Sequence, residues 1–159
     1  MAGIKMPCGR VAVIDDADVR LIDGFRLYSE VRKHTVYVQC HKKGLPHGRY
    51  VYLHVLITGR LGNDHEDGDG LNNGRSNLRP ATSGQNTKNG PKRSGENQFK
   101  GVQFHKRTGK WRAQISVNYK RLVGTLRTTP VEAAQDYDAL ARHHHGEFAR
   151  LNLPARHVG

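Results

Sequence analysis

Cysteine is almost missing from this 159-residue chain, with only Cys8 and Cys40 present. One pair of thiols supplies neither a disulfide framework nor, without a second pair, a zinc site. Long apolar runs are missing too. No window approaches the roughly 18 apolar residues that a spanning helix needs, and no apolar signal-type segment stands near the N-terminus. Membrane insertion and export as a disulfide scaffold are therefore not expected, and a reducing cytoplasm is the expected setting. Acidic residues are also scarce: 14 Asp and Glu face 26 Lys and Arg, a formal charge of +12. An excess of that size points to a polyanionic partner such as nucleic acid.

The excess is local. Residues 1–87 are close to balanced, with twelve basic and nine acidic side chains, whereas 88–127 carry eleven basic side chains against Glu96 alone. Nearly all of the net charge therefore sits in one short stretch, as a phosphate footprint requires. The length suits one ordinary domain or two small ones, each with a modest core.

The first sixty residues read as strands. Val11–Ile14, Val36–Cys40 and Tyr50–Ile57 are rich in β-branched and aromatic residues, and Asp16–Ile22 reads as a short amphipathic turn of helix. Gly44–Gly48 reads as a hairpin loop. From Asn63 to Arg79 acids, Gly and Asn take over, which predicts a tightly folded polar loop without core residues. Residues 87–98 are almost devoid of apolar side chains and read as a linker, with 91–98 separating two domains. Three strand-like runs follow, Phe99–His105, Trp111–Val117 and Arg121–Arg127. Thr129-Pro130-Val131-Glu132 then supplies an N-cap, a Pro at the first helical position and a capping-box Glu, and Gly146 offers the stop.

Asp64-His65-Glu66-Asp67-Gly68-Asp69-Gly70-Leu71-Asn72-Asn73-Gly74-Arg75-Ser76-Asn77-Leu78-Arg79, with Gln85-Asn86 behind it, resembles the HNH nuclease motif of homing endonucleases. The Asp-His pair, the Asp-Gly turn, the Asn-Asn pair, Ser-Asn-Leu-Arg and the trailing Asn stand in the family's order and spacing. Upstream, Val13-Ile14-Asp15-Asp16-Ala17-Asp18 and Tyr52-Leu53-His54 look like its lead-in strands. The resemblance implies a ββα-metal module over 61–90, in which two strands, a loop and a helix grip one divalent ion, Mg²⁺ or Mn²⁺. It implies His65 as the general base, a role for which an imidazole titrating near neutrality is suited. Asp64 and Asn86 are the implied metal ligands, both hard oxygen donors, and Asn77 is implied to tie the loop together. Glu66, Asp67 and Asp69 are assigned to the turn, and His54 to a structural place at a strand end. One ion and one base cut one strand per visit, so a monomer should nick DNA and leave 5′-phosphate and 3′-hydroxyl ends.

Phe99-Lys100-Gly101-Val102, Gly109-Lys110-Trp111-Arg112-Ala113-Gln114-Ile115, Val123-Gly124-Thr125-Leu126 and Glu132-Ala133-Ala134-Gln135-Asp136-Tyr137-Asp138 resemble the Apetala2-type DNA-binding domain, and Gly146 to Pro154 extends the likeness. Strand alternation assigns Val102, Phe104, Trp111, Ala113, Ile115 and Val117 to a core shared with Ala133, Ala134, Tyr137 and Leu140. Leu126, where an aromatic is usual, is read as a further core residue. Gly101, Gln103, His105, Arg112, Gln114 and Ser116 have the opposite parity and are the expected base readers. Lys100, Lys106, Lys110 and Lys120 are expected on phosphate. In the third strand either Arg121 or Leu122 could face DNA.

The expected fold class is thus α+β: a nuclease domain over 1–90 with an N-terminal β region over 1–60, and a three-stranded antiparallel sheet with one helix over 99–154. The expected activity is that of a divalent-metal-dependent DNA endonuclease or nickase acting on double-stranded DNA, with no small-molecule substrate. Relatives of this type are carried by phages and other mobile elements, which would place the protein in the host-cell cytoplasm. A different class is also compatible: a sequence-specific DNA-binding regulator that keeps an HNH scaffold without using it.

Overall fold

Alternation of apolar and polar side chains builds the first layer. β1 (Ala2–Lys5) and β2 (Val11–Ile14) form an antiparallel hairpin, with Ala2 opposite Ile14. β3 (Phe25–Val31), β4 (Val36–Lys42) and β5 (Val51–Tyr52) form a second antiparallel sheet in that order. Along β4 the parity is clean: Val36, Val38 and Cys40 are buried and Tyr37, Gln39 and His41 take the other face. Ala12, Ile14, Leu53 and Ile57 complete this core. The computed structural model describes residues 1–42, 49–91 and 97–153. The expected hairpin loop at 44–48, the middle of the expected linker and Pro154 lie outside the described residues.

Two expectations for this region change. Tyr50–Ile57 is not one strand: after the short β5 the chain turns into α1 (Leu53–Thr58), which buries Leu53 and Ile57 four residues apart and closes on Gly59 in the left-handed region (φ 68°). A short apolar run carries no period of its own, and Gly59 was the available stop signal. The polar loop after Asn63 also enters the core. Leu71 is 6% exposed and Asn73 fully buried, and the loop backbone bonds to β2 through Val13 N–H to Leu71 O and Asn73 N–H to Val13 O, both 2.8 Å.

β6 (Asn63–His65) and β7 (Leu78–Pro80) pair antiparallel, with Asp64 opposite Arg79 and His65 opposite Leu78. α2 (Ser83–Asn89) follows directly. The local order is strand, loop, strand, helix.

In the second half, β8 (Val102–His105), β9 (Lys110–Val117) and β10 (Lys120–Val123) form an antiparallel sheet in the order β10-β9-β8. α3 (Pro130–His145) begins with the full capping box of Thr129 and Glu132 and ends at Gly146. Ala133, Ala134 and Ala141 are fully buried, and these small side chains let α3 lie close over Ala113 and Ile115. The third strand stops at Val123; beyond it Gly124 N–H still reaches Ala113 O at 2.9 Å and Arg127 bridges back to Trp111. Phe104 and Leu126 are 40% and 41% exposed, so neither is a core residue; Phe104 packs on Trp111 at 4.9 Å between ring centroids.

The chain is α+β, with several small antiparallel sheets, and it divides into two units, Met1–Asn86 and Thr87–Gly159. Among the described residues no helix is long and apolar enough to cross a membrane.

Candidate functional site

The β6–β7 pair sets the first site. Register places Asp64 across from Arg79, and the guanidinium closes on one carboxylate oxygen: Nε and Nη2 donate to Oδ2 at 3.0 and 2.8 Å. Both side chains are largely withdrawn from water, at 7% and 13% exposure. One residue on, His65 is 5% exposed. Burial lowers its pKa, against the hydrogen bond to the Asn73 amide oxygen and the charges of Asp67, Asp64 and Asp69, which raise it. The imidazole is therefore held in its neutral form.

Asn73 determines which nitrogen of that ring carries the proton. Its Nδ2 donates to Gly70 O at 3.2 Å, which turns Oδ1 toward His65 Nε2, also at 3.2 Å. An amide oxygen only accepts, so Nε2 is the protonated nitrogen and Nδ1 carries the lone pair. Gly70 must be glycine for this loop to seat: a Cβ there would lie 2.6 Å from Val36 O and 2.7 Å from the Tyr37 ring.

Asn77 and the acids organise the loop that carries these groups. Asn77 Oδ1 accepts from Asp67 N at 3.1 Å, and Nδ2 donates to Asp67 Oδ1 at 3.0 Å and to Asn72 O at 2.8 Å. Asp67 Oδ1 also accepts from Asp69 N, and Asp69 Oδ1 from Leu71 N. Arg75 locks the far end, forking onto Asp18 with two bonds of 2.8 Å and reaching Ile57 O at 3.1 Å.

α2 brings Asn86 to the same strand. Its Nδ2 donates to Asn63 O at 2.8 Å, beside Asp64, and Asn63 is itself 7% exposed. With the amide nitrogen so engaged, Oδ1 is the atom with which Asn86 could meet a cation. Among the described residues no three His, Cys, Asp or Glu side chains are grouped to share an ion. Any ion here would rest on the Asp64 carboxylate, the Asn86 amide oxygen, and oxygens from water or substrate. Those are hard donors of the kind Mg²⁺ and Mn²⁺ take.

Asn73, Arg79, Tyr37 and His54 complete the surroundings and carry no role in the sequence reading beyond motif membership or structure. His54 lies in the first turn of α1, edge-on to His65 at 5.1 Å and stacked on Tyr52 at 5.4 Å, with Tyr37 5.7 Å from His65. Burial, then repulsion from His65 once acid protonates that ring as well, pushes His54 down to about 4.

The second candidate surface is the outward face of the β8–β9–β10 sheet. Directly paired residues share a face. Gln103 pairs with Arg112, His105 with Lys110, Gln114 with Val123 and Ser116 with Arg121. Leu122 pairs with Ile115 and belongs to the helix side, so Arg121 is the residue that joins the outward face. Arg112 Nε and Gln114 Oε1, neighbours on that face, are buried polar atoms without a hydrogen-bond partner among the described residues. Lys106 and Lys120 are exposed.

Two expected members of this surface have other duties. Lys100 Nζ donates to the carbonyls of Lys88 and Gly90, at 2.5 and 2.6 Å, so its ammonium closes carbonyls at a helix end and is not presented for phosphate. Gly101 precedes β8 in a left-handed turn (φ 68°), where a Cβ would fall 2.1 Å from the Tyr137 ring. It is a close-approach glycine under α3, not a reader.

No protein-family model matches the chain, and comparison with curated proteins and with solved structures likewise yields no significant match.

Proposed function

We propose that the chain is a divalent-metal-dependent DNA endonuclease or nickase of the HNH type, hydrolysing a phosphodiester bond to 5′-phosphate and 3′-hydroxyl ends. In this reading the second unit is an Apetala2-type module that holds the duplex. The observation that carries the reading is the strand–loop–strand–helix assembly in which Asp64 and His65 end β6 while Asn86 of α2 bonds to the carbonyl of Asn63.

The residues divide the work. His65, neutral and proton-bearing on Nε2, accepts the proton of the attacking water at Nδ1. Asn73 keeps the ring in that tautomer and turns it by holding Nε2. Asp64 and the Asn86 amide oxygen would hold the ion, and a Mg²⁺ or Mn²⁺ there would supply neutralisation of the charge that builds up during hydrolysis. Arg79 holds the Asp64 carboxylate in one orientation. Asn77 and the turn carboxylates keep the loop rigid around the base.

On the second unit, Arg112, Gln114, Gln103 and Ser116 offer donors and acceptors to base edges, with Arg121, Lys110 and Lys120 on phosphate.

Plasmid nicking with Mg²⁺ tests the reading. His65→Ala should reduce nicking by about 10²-fold or more while leaving duplex binding intact. Metal-dependent nicking that survives the substitution would refute the site. Tight duplex binding with no nicking by the unsubstituted chain would favour the regulator instead.

A further inference from the structure

We propose that Tyr119 is a DNA-contacting residue, an aromatic side chain held at the tip of the β9–β10 hairpin to pack against the sugar–phosphate wall of a bound duplex. The inference rests on the reading of the second unit as a duplex-binding module.

The backbone at this tip is unusual for the residue it carries. Val117 pairs with Lys120, so the hairpin closes through two residues, Asn118 and Tyr119, with φ of 48° and 63°. Two positive φ values in a two-residue loop mark a primed turn, whose second position favours glycine. Asn tolerates the left-handed region because its short polar side chain bonds locally; a tyrosine has no such compensation. The neighbouring hairpin of the same sheet meets the same demand with Gly109, at φ 65°.

Among the described residues nothing covers the side chain. Tyr119 is 109% exposed, the most exposed large hydrophobic residue described. A single exposed tyrosine is commonplace and would carry no weight alone. Here it coincides with a backbone conformation that disfavours it, and strained residues persist where a partner uses them. Charge names the partner. Lys120 and Arg121 follow immediately, both exposed, and Arg121 opposes Ser116 on the outward face of the sheet. An aromatic ring beside two cations at the rim of a positive sheet fits a polyanion whose phosphates alternate with apolar sugar edges, as along a duplex backbone.

The test uses the full chain with EDTA present, a fluorescent random-sequence duplex at matched salt, and thermal unfolding. Three variants separate ring from backbone. Tyr119→Gly removes both ring and strain, and should raise the melting midpoint by roughly 4 °C while weakening duplex binding about tenfold. Tyr119→Ala keeps the strained backbone and should lose a similar factor in binding. Tyr119→Phe should bind within about threefold of the parent. A glycine variant that binds as tightly as the parent overturns the inference, as does a phenylalanine variant as weak as alanine. Duplex binding by the parent that is absent or insensitive to salt overturns the module reading and the inference with it; steep salt dependence with unchanged variants overturns the inference alone.

Discussion

Asn77 meets Asp67 twice, accepting from its backbone N–H at 3.1 Å and donating to its carboxylate at 3.0 Å, and so closes the loop between β6 and β7. With 9% exposure, its amide has little water to turn to if a partner is lost. Asn77→Ala should therefore destabilise the first unit by about 2–3 kcal/mol. Denaturant unfolding measures it, and nicking should fall in the same variant because His65 heads this loop. A variant as stable as the parent would remove Asn77 from the loop's framework.

Acid should unfold the first unit early. His54 has a folded-state pKa of about 4, against an unperturbed 6.5. Between those values the unfolded chain binds the proton that the native state refuses. The stability from keeping this ring neutral is thus complete above about pH 6.5 and is lost progressively toward pH 4. His65, lowered by burial, adds in the same direction. The total from His54 is on the order of 3 kcal/mol. Stability against pH should slope upward across that window, and His54→Phe should flatten it. A flat profile in the parent would contradict the burial of this ring.

Asp138 secures the far end of the second unit. It is 2% exposed and accepts from Asn152 N and Leu153 N, both at 2.8 Å, and from Asn152 Nδ2 at 3.2 Å. Asn152 in turn bonds both backbone groups of Lys100. Asp138→Ala leaves these donors buried and should cost about 2–4 kcal/mol, with faster amide exchange at residues 100, 152 and 153. Exchange unchanged at Lys100 would break the proposed link.

Duplex binding should fall steeply with salt, and single substitutions should separate affinity from choice. Lys110→Ala should reduce the slope of log K against log salt by about one and weaken all sequences alike. Arg112→Ala should cost about 1–3 kcal/mol on a preferred sequence and relax discrimination at one position. Equal effects of the two substitutions on preferred and random duplexes would remove Arg112 from base reading.

Much of this architecture was legible in the residues because local chemistry and tertiary packing agree. The capping box of Thr129 and Glu132 needs only its own turn, and the parity of β9 follows from Ala113 and Ile115 facing the alanines of α3. Leu53–Thr58 was illegible as a helix because β-branched residues favour strand locally while burial of Leu53 and Ile57 on one side decides the matter. Lys100 misled for a similar reason: its charge suggests phosphate, but the carbonyls of Lys88 and Gly90 reach it first. The duties of Asn73 and Arg79 depend on which residues oppose them across the β6–β7 loop and pair. Register of that kind belongs to the folded chain.

Cys40 sits wholly inside the first core, its thiol pushed up to about 12 by burial, whereas Cys8 is exposed. A maleimide dye or nitroxide added at neutral pH will therefore attach at one place without any prior engineering of the chain. The same asymmetry makes Cys40 a built-in reporter, since its alkylation rate will measure how often the interior of the first unit opens.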